Sequence, residues 1–281
     1  MQLIQSQSAL NHWRENRQGS WALVPTMGNL HRGHLALVEH AKALCENVVV
    51  SVYVNPTQFG VGEDFERYPR TLERDAALLK EAGADVLLAP HVEMVYPLGL
   101  DNALSYQLPK HYTEMLCGLS RPTHFQGVVN VVSRLFQMTL PNIAIFGEKD
   151  YQQQWIIKRF VADFQLPITI HTHPTQREED GLALSSRNQY LNPEERSLAP
   201  LLYQALQAVQ KAVRQSASVA TAIHIGRELL EKSGITPEYL EIRNQSALAL
   251  LSPNFPVSEP AVVLIAAKIG QTRLIDNLVL S

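Results

Sequence analysis

"WALVPTMGNLHRGHLALVEHAKALC", residues 21–45, is the stretch on which the fold class turns. "WALVP" (21–25) is an apolar run of strand length that Pro25 stops. From His34 to Cys45, Leu37, Val38, Ala41 and Leu44 recur at helical spacing and form one stripe. Between the two, Gly28 lets the backbone turn closely. The order is strand, turn, helix, and it repeats on either side. "VVVSVYV" (48–54) is a β-branched strand, and "TLERDAALLKEAG" (71–83) an amphipathic helix closed by Gly83. "DVLLAP" (85–90), "NIAIFG" (142–147) and "ITIHTH" (168–173) are further strands. "VVNVVSRLFQMT" (128–139) and "QQWIIKRFVADF" (153–164) are helices. Such alternation predicts an α/β fold, a Rossmann-like doubly wound parallel sheet with helices on both faces. Ligands of such sheets collect at the carboxyl ends of the strands, which here follow Val24, Val54 and Phe146.

The tail has another pattern. Two amphipathic helices, 192–215 and 219–234, precede the strand candidates "EYLEIRN" (238–244), "AVVLIAAKIG" (261–270) and "TRLIDN" (272–277). Helices followed by strands predict a smaller α+β domain. Pro174 and the charge cluster of "HPTQREEDG" (173–181) mark the expected boundary, giving domains 1–175 and 176–281.

Composition narrows the function. The 281 residues carry 24 basic and 27 acidic side chains, a net charge of −3, so no overall positive field holds a nucleic acid. Cys45 and Cys117 are too few for a disulfide framework or a cysteine zinc site. No apolar run approaches the roughly 20 residues that cross a bilayer. The polar opening "MQLIQSQSALNHWREN" lacks a signal-peptide core, so a cytoplasmic setting without membrane partners is expected.

Four segments carry candidate chemistry. In "PTMGNLHRGH" (25–34), His31 and His34 lie three residues apart at a helix start and share one face. A helix start offers unpaired N–H groups and a positive dipole end, a ready site for phosphate. The bland alternative makes one histidine a cap and the other a packed surface residue. "NPTQF" (55–59) offers the amides of Asn55 and Gln58, or is an ordinary Asn-Pro turn. In "FGEKDYQQQ" (146–154), Gly147 admits a close backbone approach and Lys149 supplies a mobile charge. Asp150 can accept from a ribose hydroxyl or a magnesium-bound water, and Gln153 starts the next helix. A solvated turn is the alternative there. "DGLALSSRNQYL" (180–191) sets Ser185, Ser186 and Arg187 beside a Gly turn, as a phosphate clamp or a capping loop. Neither His31/His34 nor His171/His173, which share a strand face, has a third ligand of zinc type. No protein-bound metal is therefore expected, whereas magnesium arriving with a nucleotide needs few protein ligands.

"VPTMGNLHRGH", "VNPTQF", "RYPRTLERD", "RPTHFQGV", "FGEKDYQQ", "DGLALSSRN" and "RLIDN" together resemble the pantothenate synthetase (pantoate–β-alanine ligase) family nearly end to end. The H-x-G-H element alone indicates only the wider nucleotidyltransferase superfamily. The resemblance implies a two-step ligation: pantoate attacks the α-phosphate of Mg·ATP to give pantoyl adenylate and pyrophosphate. The β-alanine amine then displaces AMP to give pantothenate. Carried over by position, Met27, Gly28, Asn29, Leu30, His31, Arg32, Gly33 and His34 line the ATP site, with His34 as proton donor and both histidines steadying the phosphates. Gly147, Glu148, Lys149 and Asp150 contact the nucleotide, Lys149 through its phosphates, and Leu184, Ser185, Ser186 and Arg187 complete the clamp. Gln176 gives a backbone contact to adenine. Gln58 and Gln153 hold pantoate, with Gln58 also reaching β-alanine and Asn55 close by. The resemblance implies, too, a homodimer built through the first domain and closure of the second as a lid. In "RPTHFQGV", Thr123 stands where the family usually has Gly and Gln126 where it has Arg.

Two rivals give different expectations. A tRNA-charging enzyme needs an anticodon-binding domain and a basic face, for which this chain has neither length nor charge. A non-catalytic nucleotide-binding scaffold has no use for His34, Lys149 and Arg187 together with a glutamine pair.

Overall fold

A computed structural model describes residues 1–280, which divide into two compact units, Met1–Pro174 and Thr175 onward. The first unit is built on a six-stranded sheet. Its strands are β1 (Gln2–Ile4), β2 (Trp21–Thr26), β3 (Asn47–Val52), β4 (Val86–Leu88), β5 (Ile143–Gly147) and β6 (Thr169–His173). The spatial order is β1-β4-β3-β2-β5-β6, and every pairing is parallel. Strands covered on both faces read as unbroken apolar runs, which is why Ala22, Leu23 and Val24 are all 0% exposed.

The helices of this unit are α1 (Gln7–Glu15), α2 (Arg32–Leu44), α3 (Leu72–Glu81), the single turns α4 (Val92–Val95), α5 (Lys110–Thr113) and α6 (Cys117–Ser120), then α7 (His124–Thr139) and α8 (Tyr151–Asp163). Helices α2 and α3 close a core of Val24, Leu30, Val38, Val50, Leu79 and Ile145, among others. The chain runs β2, β3, β4 to one side of the sheet, then crosses to β5 and β6 on the other. The reversal falls between β2 and β5, so a crevice opens at their carboxyl ends.

Three details depart from the sequence-based expectations. The buried stripe of α2 is Leu37, Val38 and Ala41, while Leu44 is 39% exposed: the helix ends there, and the chain turns extended at Cys45, which is buried in its place. Strand β1 was hidden by its polar neighbours, because only Ile4 of its three residues is buried. Helix α7 starts at His124, four residues before the apolar run that announces it.

In the second unit the helix expected over 192–215 is two helices, α9 (Pro193–Leu198) and α10 (Leu201–Arg214). Pro200 has no N–H to continue the ladder. Asn192 and Glu195 form a capping box at the start of α9. Helix α11 (Val219–Glu231) follows, then an antiparallel sheet of β7 (Pro237–Asn244), β8 (Ala261–Ile269) and β9 (Thr272–Leu280). Leu202, Leu206 and Val209 of α10 pack on Val263 and Ile265 of β8 to form the core.

Candidate active site

The segment after β2 and the segment after β5 leave adjacent parallel strands at the same edge, flanking the reversal. His31 is the N-cap of α2, and its Nδ1 accepts the Gly33 N–H at 3.1 Å. The Nδ1 of His34 accepts the His31 N–H at 3.3 Å, closing a capping box made of two histidines. The rings lie 4.0 Å apart between centroids. Because each Nδ1 accepts, each neutral ring carries its proton on Nε2.

This arrangement revises the expected helix-start phosphate site. The amides of His31 and Gly33 are taken by the imidazoles, and those of Asn29 and Leu30 by Asp75 at 2.9 and 2.8 Å. Asn29 and Leu30 are buried, so they shape the turn from below. The Nε2–H groups of both imidazoles remain as donors towards a ligand.

Electrostatics keep the rings neutral. Burial, then the nearby Lys149 charge, lowers the His31 pKa to about 4, with Asp150 opposing. Burial, His31 and Lys149 push His34 well below its ordinary value. Lys149 is thus within electrostatic reach of both rings, while its Nζ lies 3.7 Å from the Asp150 carboxylate. Gly147, Glu148 and Asp150 are all partly exposed at the strand end, and Glu148 accepts from the Thr172 hydroxyl at 3.4 Å.

The "NPTQF" segment forms a 3-10 turn, Pro56–Gln58, capped by Asn55. Asn55 is 1% exposed and fully engaged. Its Oδ1 accepts from the Thr57 N–H and hydroxyl and from the Tyr96 hydroxyl, while its amide donates to Gln58 Oε1 and the Gly127 carbonyl. Asn55 therefore builds the loop, and Gln58 is the group it presents. The Gln58 amide lies 2.7 Å from the Met27 sulfur, which joins this loop to the segment after β2. Gln153 sits half-buried in the first turn of α8.

"RPTHFQGV" gains a place in this framework. His124 Nδ1 lies 2.9 Å from the Gln58 carbonyl, and Arg121 reaches the same oxygen at 3.4 Å. Arg121 also forks onto Glu63 with two contacts of 2.6 Å. Burial pushes the Glu63 carboxyl up, but Arg121 outweighs it and holds it below its ordinary value. A side chain on Gly127 would collide with the Thr57 carbonyl and the Gln58 backbone. Gln126 Oε1 accepts the Leu108 N–H at 3.2 Å. Asp75, His124 and Gly127 are residues that sequence reasoning missed. Their motifs stood out, but their partners lie more than 40 residues away in each case.

In the second unit, the Gln176 carbonyl accepts the Leu184 N–H at 2.9 Å. Ser185 caps a 3-10 turn, Ser186–Tyr190, by accepting the Arg187 N–H at 3.2 Å. The capping-loop reading is realised, and it fixes where Ser186 and Arg187 emerge.

His171 and His173 acquire a neighbour the sequence did not offer. His40 of α2 lies with its Nδ1 3.4 Å from that of His173, and its ring centroid is 6.0 Å from that of His171. Among the described residues, no group of three or more His, Cys, Asp or Glu side chains is arranged to hold a metal ion. No helix among them is long and apolar enough to cross a membrane.

The profile of the pantoate-beta-alanine ligase family matches residues 2–279. A pantothenate synthetase of Acidithiobacillus ferrooxidans is 46% identical over 281 residues, covering 100% of both chains. The crystal structure of pantothenate synthetase from Thermus thermophilus superposes with a TM-score of 0.92 at 48% identity, covering 99% of each chain. A pantoate-beta-alanine ligase from Francisella tularensis, solved with beta-gamma ATP and beta-alanine, gives a TM-score of 0.83 at 33% identity, over 99% of this chain and 97% of that one.

Proposed function

The chain belongs to the pantoate–β-alanine ligase family, and from that premise we propose how its residues perform the ligation. It is a ligase that forms pantothenate from pantoate and β-alanine, with ATP as the activating substrate. Pantoate carboxylate attacks the α-phosphorus, the bond to the β-phosphate oxygen breaks, and pyrophosphate leaves. The β-alanine amine then adds to the activated carbonyl, loses a proton, and AMP departs.

One observation carries this reading: the paired imidazoles and Lys149 converge at the sheet reversal between β2 and β5. Lys149 supplies the positive charge that draws in the phosphates. Held neutral, His31 and His34 donate Nε2–H hydrogen bonds to phosphate oxygens where charge grows. With its proton on Nε2, His34 meets the phosphate oxygens as a donor. Gln58 and Gln153 orient pantoate, and positioning alone removes much of the barrier to a bimolecular attack. The backbone of Met27–His34 and Gly147–Asp150 lines the nucleotide side. Magnesium carried by ATP would offset phosphate charge, and the Asp150 carboxylate, partly exposed beside Lys149, would accept from its hydration shell.

The homodimer is part of the same reading. Leu98 and Leu104 of the first unit, 69% and 86% exposed, are the kind of surface an interface covers, and light scattering tests it. A cytoplasmic setting suits two buried free thiols, Cys45 and Cys117, and cell fractionation tests that. For the reaction itself, AMP release is assayed with each substrate omitted in turn. Pyrophosphate should require ATP and pantoate, and AMP and pantothenate should follow only with β-alanine. Equal AMP with glycine in place of β-alanine overturns the amine assignment.

A further inference from the structure

The "RYPRTLERD" motif ends in a carboxylate that ligation chemistry does not call for. Asp75, in the first turn of α3, is 0% exposed. Its Oδ2 accepts the Asn29 N–H at 2.9 Å, and its Oδ1 accepts the Leu30 N–H at 2.8 Å and the Thr71 hydroxyl at 3.2 Å. A carboxylate wholly removed from water persists only where its oxygens are this well supplied with donors.

The backbone it meets is unusual. Gly28 and Asn29 both have positive φ, +81° and +50°, so consecutive amides turn towards one point. That is the shape of a nest, the backbone concavity that binds anions in phosphate loops. Here the anion is the protein's own. A Cβ at Gly28 would stand 3.0 Å from Asp75 Oδ2 and 2.9 Å from a Val52 methyl, so the turn is also closed from behind. Two residues further on, His31 caps α2 and its ring packs on His34.

We infer that Asp75 is a positioning residue for the nucleotide: by filling the Gly28–Leu30 nest with a fixed carboxylate, it holds the turn that aims both imidazoles and keeps ATP phosphates out of the nest. Phosphate in the nest would sit on the amides of Asn29 and Leu30, beneath the turn and away from the Nε2–H groups. A resident negative charge forbids that and leaves the imidazoles and Lys149 as the phosphate site. The inference rests on the nucleotide reading of His31, His34 and Lys149.

Asp75→Asn tests it. An asparagine keeps one acceptor and turns an NH2 group against a backbone N–H, so the turn loses one amide bond and its charge. Losing one charge-assisted bond should raise the KM for ATP about tenfold, with the KM for pantoate unchanged. A merely structural role lowers kcat in proportion to the folded fraction and leaves the ATP-to-pantoate KM ratio alone, and that result overturns the inference. If the variant does not fold, Thr71→Val takes its place, removing the hydroxyl donor to Oδ1 and leaving both amide bonds. It should raise the ATP KM about threefold without touching pantoate, and no change, or equal changes in both, overturns the inference. Wild-type protein run alongside separates the two readings. If wild type makes no AMP from ATP, pantoate and β-alanine, the function itself fails; if it does and Asp75→Asn matches it, only the role of Asp75 fails.

Discussion

The ring of His124 donates its Nδ1–H to the carbonyl oxygen of Gln58 at 2.9 Å, so the start of α7 grips the loop that presents the Gln58 amide, the group proposed to orient pantoate. Burial, with Arg121 adjacent, lowers the His124 pKa to about 4, so the ring is a neutral donor at physiological pH. His124→Ala removes this bond and leaves the carbonyl only the long Arg121 contact of 3.4 Å. A net hydrogen bond contributes about 1 kcal/mol, so the KM for pantoate should rise about fivefold with the KM for ATP nearly unchanged. Initial-rate kinetics with each substrate varied separate the two constants, and a rise confined to ATP would contradict the assignment.

The tautomer argued for His34 gives a sharper test. Its Nδ1 is committed to the His31 N–H, so any ligand meets Nε2–H. Glutamine places its amide nitrogen near the Nε2 position, and asparagine mimics Nδ1. His34→Gln should therefore keep about a hundredfold more pyrophosphate-releasing activity than His34→Asn or His34→Ala, the worth of one donor to a developing oxyanion. His34→Asn should instead keep the cap, worth about 1 kcal/mol of stability. Equal losses in the Gln and Asn variants would favour proton transfer by the imidazole over hydrogen bonding.

How much of this was written in the chain differs by element. The β2–α2 unit was legible because a buried parallel strand and an amphipathic helix each announce themselves within a dozen residues. Lys149 and the two histidines were legible for the same reason, since each lies directly after a strand with a readable apolar run. Asp75 and His124 were not. Each matters through a bond to backbone at least 45 residues away, and no local pattern encodes that. The apolar stripe likewise pointed to Leu44, because a helical period does not announce that the helix stops there and turns extended to bury Cys45. The burial that lowers the His34 pKa is also something that sequence does not display.

The depressed histidines make stability depend on pH in one direction. His31 and His124 each titrate at about 4 when folded, against 6.5 for the free side chain. The unfolded chain therefore binds these protons first. Their contribution is fully present above pH 6.5 and is lost progressively as pH falls towards 4. The slope approaches about 1.4 kcal/mol per pH unit for each group within that window. Urea midpoints measured at pH 7.5, 6 and 5 should fall in that order, and His124→Ala should flatten the trend. A midpoint that stays level down to pH 5 would show that these rings are charged, or solvated, in the native state.

The last prediction concerns the second unit. Arg177 forks onto Asp276 of β9 with contacts of 2.6 and 2.9 Å, and its guanidinium stacks 3.7 Å above the Tyr203 ring of α10. Asp276 has only 3% of its side chain exposed, so removing its partner strands a buried charge. Arg177→Met should cost about 3 kcal/mol, while Arg177→Lys should recover little, because an ammonium cannot fork or stack as a guanidinium does. The double variant Arg177→Met with Asp276→Leu leaves no charge buried and should be more stable than Arg177→Met alone. Because Arg177 follows Gln176 and bridges to Ala183, loosening it frees the segment that carries Leu184 and Ser185. Urea unfolding followed by far-ultraviolet circular dichroism reads the stability. A double variant less stable than the single one would mean that the ion pair is itself stabilising, beyond the cost of breaking it.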